Sequence, residues 1–171
     1  NTYSLKLSAL TKNVTADSDF ETTLEIQQSY TKTPTLDRLV KSKDSLDLIS
    51  MYKHYLPTVK WLGGFARFEL NTPLQRGYSE QAEDKDFVIA PLADSEDPVK
   101  TKTTDRLKLT NGFQPLTMKE SLGAVFQILR KKNTNLEFRA GLGAKQIYAE
   151  GGLYVDDDDE TDPIEVFTFN D

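Results

Sequence analysis

The sequence predicts an all-β protein, an antiparallel up-and-down barrel with strands long enough to cross a bilayer. Three observations lead there. Long segments alternate apolar and polar residues with a period of two, which only an extended strand can use. Most of these segments match or exceed the roughly 9–11 residues that a tilted strand needs to span a membrane. The connections between them alternate short and long, as in transmembrane barrels with tight turns on one side and extended loops on the other.

In chain order, residues 3–11 set Tyr3, Leu5, Leu7 and Ala9 against Ser4, Lys6 and Ser8. Residues 19–30 carry Phe20, Leu24, Ile26 and Tyr30 on one face and Glu21, Thr23, Glu25, Gln27 and Ser29 on the other. Strands at 44–55 and 59–70 meet at Leu56-Pro57-Thr58, where proline removes a ladder donor and fixes a short turn. The segments 119–130 and 135–148, the second the most regular of all, are joined by the polar turn Lys131-Lys132-Asn133-Thr134. A further strand opens at Ile164. Between the strands lie connections at 12–18, 31–43, 56–58, 71–118, 131–134 and 149–163. The 71–118 excursion is read as external loop, including 104–112, because stretches such as Tyr78 to Asp86 are too polar for a core.

Composition narrows the function classes. A chain of 171 residues with net charge −6 and mean hydropathy −0.53 cannot be a bundle of transmembrane helices. Strands that show lipid only every second residue remain compatible with it. The absence of cysteine removes thiolate chemistry and cysteine-ligated zinc. The acidic balance argues against nucleic acid as a partner, since phosphate binding needs clustered Lys and Arg. The whole of 1–171 reads as one barrel domain. A first residue of Asn rather than Met fits removal of an export segment.

The stretch Lys60-Trp61-Leu62-Gly63-Gly64-Phe65-Ala66-Arg67-Phe68-Glu69 resembles the aromatic-rich strand that follows a periplasmic turn in small outer-membrane β-barrels grouped with the salt-induced outer membrane proteins and related uncharacterised families. The segment Ser121 to Leu129, the lysine turn, and Asn135 to Gly143 are similar to the same group's glycine-punctuated hairpin. Together these matches cover about a third of the chain. The resemblance implies a Gram-negative outer-membrane location and a porin-like architecture; it brings no catalytic residues.

Within that reading, Leu24, Ile26, Leu122, Phe126, Phe138 and Leu142 form a lipid-facing belt. Glu21, Glu25, Arg67, Glu69, Glu137, Arg139 and Lys145 face the interior, as an ion-pair plug or the lining of a narrow passage. An arginine at Leu142 or Phe138 is then costly, whereas one at Gly141 alters only the interior. Tyr3, Phe20, Tyr30, Tyr52, Tyr55, Trp61 and Phe68 suit interfacial girdles, or the core of a soluble barrel. His54 is the only histidine, so any serine hydrolase would depend on it. Ser50, on the same strand face, lies about 13 Å away, too far for a nucleophile and its base. Asp156, Asp158 and Glu160 offer a weak calcium site, but the acidic run lacks the spacing of a calcium loop and reads better as a solvated loop.

The expected function is non-enzymatic and needs no cofactor: a structural element, narrow pore or docking surface of the outer membrane. Its partners would be outer-membrane lipid, lipopolysaccharide and envelope proteins meeting the external loops. The alternatives are a soluble periplasmic barrel enclosing a small apolar ligand and an outer-membrane lipid hydrolase using His54. Seven strands leave an odd count, so further residues after Asp171 are expected to complete a barrel of about 8–12 strands.

Overall fold

The computed structural model describes residues 1–34, 38–90, 99–131, 134–149, 152–155 and 163–168. Among them there is no helix, and ten strands account for nearly all regular structure: β1 (Thr2–Val14), β2 (Ser18–Lys32), β3 (Leu39–Tyr55), β4 (Leu62–Thr72), β5 (Gly77–Ala90), β6 (Lys100–Thr110), β7 (Leu116–Lys131), β8 (Thr134–Tyr148), β9 (Leu153–Val155) and β10 (Ile164–Thr168).

The period-two segments become one six-stranded sheet in the order β1-β2-β3-β4-β7-β8, antiparallel at every step. Its strands run from 11 to 17 residues, about two to three times the usual length in globular proteins. The ladder keeps register over nearly its whole length. Bulges interrupt it only at Ser42 on β3, opposite Ser29 and Tyr30, and between Gln127 and Leu129 on β7. One row therefore runs across all six strands through Lys12, Glu21, Met51, Arg67, Ser121 and Gly143.

The connections sort by end as their lengths predict. The turns after β1, β3 and β7 lie at one end, where Asp17 O accepts from Tyr55 N at 2.7 Å and Trp61 O accepts from Gln127 N at 2.7 Å. The connections after β2, β4 and β8 leave from the other.

Two expectations need correction. The 71–118 excursion is not simply loop: it carries the hairpin β5-β6, which includes most of 104–112. Nor does the strand from Ile164 join the large sheet. As β10 it pairs in parallel with β5 and antiparallel with β9, giving a second sheet in the order β6-β5-β10-β9. The reason is a small core. Phe87, Leu107, Ile164 and Val166 come from three strands and are fully or almost fully buried, with Ile89, Leu109 and Leu153 packed against them. Burying four such side chains outweighs the polarity of the rest of the hairpin, each contributing about 1.5–3 kcal/mol. The two long-strand edges, β1 and β8, pair with no other strand among the described residues, so no closed barrel is formed.

Candidate functional site: the charged concave face

Register fixes which side chains share a face. Lys12, Glu21, Glu25, Lys53, Arg67, Glu69, Lys119, Glu137, Arg139 and Lys145 lie on one side of the large sheet. Leu7, Leu24, Ile26, Leu48, Phe68, Leu122, Phe126, Phe138 and Leu142 lie on the other.

The charged side is concave. Lys53 on β3 aligns with Gly141 on β8, and Glu137 is four residues further along. In a flat sheet, three strand spacings and four residues would separate Lys53 from Glu137 by about 20 Å, against a combined side-chain reach of about 11 Å. Yet Lys53 Nζ is 2.8 Å from Glu137 Oε2. Arg139 Nη1 repeats the geometry one row away, 3.8 Å from Met51 Sδ. Only a sheet curled towards its polar face can close both distances.

Two glycines let the curl tighten. Gly123 and Gly141 are register partners, and a Cβ on Gly123 would stand 2.2 Å from Ala140 O and 2.4 Å from Gly141 Cα. A Cβ on Gly141 would stand 2.3 Å from Leu122 O. No side chain fits against backbone that close, which is why glycine occupies both places. This corrects the expectation for Gly141: an arginine there would collide with β7 rather than simply enter the interior.

Each carboxylate predicted to face inward has a cationic partner, and Lys12, Lys53 and Lys119 among these were not singled out by the alternation. Glu25 pairs with Lys6 at 2.9 Å and Glu21 with Lys12 at 3.1 Å. Glu69 bonds Arg67 and lies 3.5 Å from Lys119. Glu137 accepts from Arg139 Nε at 2.8 Å as well as from Lys53. The Lys53–Glu137 pair is the least solvated, with side chains 14% and 12% exposed. Lys145 stands directly opposite Lys119, a like-charge pair, and has no ion-pair partner among the described residues. The missed cations were legible in type but not in partnership, because pairing depends on cross-strand register and curvature.

A cavity of about 380 Å³ follows the concave face, lined among others by Lys12, Glu21, Lys53, Arg67, Glu137 and Arg139. One of about 260 Å³ lies beside it at Asp47, Glu69, Lys119 and Lys145. Near the turn end, Val125 is wholly buried and the Tyr55 hydroxyl donates to Gln127 Oε1 at 3.2 Å.

The convex face is apolar and open. Leu142 is 83% exposed, Leu122 68% and Phe138 57%, while Leu5, Leu7 and Tyr52 are also exposed. Leu24 and Ile26 on β2 are half-buried by their neighbours. Tyr52, Ala66, Leu122 and Leu142 form one continuous row across β3, β4, β7 and β8. Rings of Trp61, Phe126 and Phe138 pack in series, with centroids 6.2 and 6.1 Å apart. Glu120 and His54 share this face and interrupt it.

His54 is exposed, stacks on Tyr52 at 6.5 Å, and has Ser18 and Gly64 as register partners. The Ser18 hydroxyl is 2.7 Å from that of Thr15, and no hydrogen bond joins His54 to a serine or carboxylate among the described residues. The calcium candidates Asp156, Asp158 and Glu160 lie outside the described residues. Among those described, no group of three His, Asp or Glu side chains is placed to hold a metal.

At the loop end, Arg38 ties the two sheets together. Its Nε is 2.5 Å from Glu80 Oε2 and its Nη1 2.7 Å from Asp105 Oδ2. The hydrogen bond to Asp105 and the nearby Glu80 carboxylate raise the guanidinium's pKa above its ordinary value. Asp44 caps the turn after β4, accepting from Leu74 N at 3.1 Å and Gln75 N at 2.8 Å.

These features define an all-β protein built on antiparallel sheets, with a charged hollow and an apolar exterior. No protein family, curated protein or solved structure matches the chain.

Proposed function

We propose that the large sheet is the wall of a transmembrane β-barrel in a bacterial outer membrane, with its apolar face in lipid and its ion-paired face towards a narrow interior. The role is structural, or that of a restricted passage, and not catalytic; lipid and lipopolysaccharide are its surroundings, and envelope proteins meet the second sheet and the loops beside it. The observation that carries this reading is the inversion of polarity. A sheet in water turns its apolar face towards a core and its charges outward. Here the charges converge in the hollow while Leu122, Phe138 and Leu142 stand exposed. An exposed and largely apolar face of this kind calls for lipid or another apolar cover.

Resemblance to the salt-induced outer-membrane group agrees with the proposal and adds only architecture and location. The ligand-binding alternative would need an apolar hollow, and the hollow is lined by Lys12, Glu21, Lys53, Arg67, Glu137 and Arg139. The hydrolase alternative would need His54 hydrogen-bonded to a nucleophile, whereas the hydroxyl of its neighbour Ser18 lies 2.7 Å from that of Thr15.

Fractionation tests the proposal. The protein should remain with the membrane pellet after alkaline washing and enter solution only with detergent. Recovery as a monodisperse species in plain buffer would refute it.

A further inference from the structure

We propose that the two open edges of the large sheet are closed by a second copy of this chain, β1 of each copy pairing with β8 of the other, to make a twelve-stranded barrel. The inference rests on the membrane reading, because lipid offers nothing to hydrogen-bond an exposed strand edge.

Neither edge has a partner strand among the described residues. Thr15 N donates to Ser18 O, and Lys32 N to Asn1 O, so the odd residues of β1 direct their backbone groups to β2. Its even residues, from Ser4 to Lys12, direct theirs outward, where no strand pairs with them among the described residues. Strand β8 is the opposite edge. The sheet has an even number of strands, so β1 and β8 run antiparallel. A two-fold axis along the barrel would bring each β1 beside a β8 in the antiparallel sense of every other ladder, with polar faces inside.

The curl indicates the register. Side chains that meet across the hollow, Lys53 with Glu137 and Met51 with Arg139, are offset by four residues over three strand steps, which sets the slope of the strands. Over the six steps to the next copy the same slope is an offset of about eight, an even number that keeps both faces in place, and about sixteen residues of shear over twelve strands give a tilt of about 43°, within the normal range. That register sets Leu5 opposite Leu142 and Leu7 opposite Ala140, continuing the apolar belt across the seam. Direct closure of β1 on β8 within one chain would leave a six-stranded ring, narrower than the roughly eight strands that side chains just fill. Lys53, Arg67, Glu137 and Arg139 could not all fit inside it.

The chain has no cysteine, so disulfide trapping reads cleanly. Leu5 and Leu142 would form a non-hydrogen-bonded pair with Cα atoms about 4.5 Å apart, within disulfide range. The full chain carrying Leu5→Cys and Leu142→Cys, folded in detergent and oxidised, should run as a covalent dimer without reductant. Each single variant alone should stay monomeric, and an equal mixture of the two singles should again give dimer. Leu7→Cys with Ala140→Cys repeats the test should the first pair fail to fold. A disulfide within one chain, or no disulfide in either pair, overturns the proposal, the latter pointing to another occupant of the edges. Solubility without detergent would instead sink the membrane reading, whatever the cross-links show.

Discussion

Two neighbouring residues separate the faces most sharply. Thr23 lies between Glu21 and Glu25 on the charged side of β2, and Leu24 points to the apolar side. In lipid, Leu24→Arg should cost about 2–4 kcal/mol if it lies near the bilayer midplane, and so should Leu142→Arg. Thr23→Arg, flanked by two carboxylates, should change stability by no more than about 1 kcal/mol. Denaturant unfolding of the lipid-inserted protein reads the difference; equal costs at 23 and 24 would contradict the assignment of faces. The Lys53–Glu137 pair reports on the curl itself. A double-mutant cycle with Lys53→Met and Glu137→Gln should give a coupling above the roughly 0.2–1 kcal/mol of exposed pairs, because both side chains are largely desolvated. A coupling near zero would mean that β3 and β8 do not meet.

At the scale of elements, the strands that alternate regularly were legible and those that do not were not. Strands β1, β2, β3, β4, β7 and β8 each carry the period of two over most of their length, and their boundaries shift by five positions or fewer. The hairpin β5-β6 escaped because its polar run from Glu80 to Asp86 hides a core contribution of one residue per strand, Phe87 and Leu107. Their partners Ile164 and Val166 lie more than fifty residues further on, beyond any local pattern. The same limit applies to the ion pairs: alternation placed Glu137 and Arg139 on the polar face, but Lys53 becomes their neighbour only through curvature. Two predictions belong to this scale. Gly123→Val, thrust against Ala140 O, should destabilise the large sheet by about 3 kcal/mol, at the upper end of overpacking costs, as a lowered unfolding midpoint. An unchanged midpoint would deny the close approach of β7 and β8. Arg38→Ala should speed amide exchange in β5 and β6 while leaving β2, β3 and β4 protected, since Arg38 holds Glu80 and Asp105 from the main sheet's loop. Equal loss of protection in both sheets would show that they unfold as one unit.

For the whole molecule, the proposed orientation sets the apolar face outward into lipid and the charged face inward. It combines ordinary strand chemistry with a curl towards the charged face, since the same alternation curled the other way would describe a soluble barrel with an apolar core. Strand β8 is the best place to test it, being an edge strand whose residues alternate without a break from Phe138 to Lys145. Single cysteines at Phe138, Arg139, Ala140, Leu142 and Lys145, each carrying a spin label in lipid bilayers, can be read for collision with oxygen, which concentrates in lipid, and with a water-soluble nickel chelate. The account predicts that labels at 138, 140 and 142 meet oxygen and avoid nickel, while those at 139 and 145 do the reverse. Nickel access at 138, 140 and 142, or no alternation at all, would contradict it.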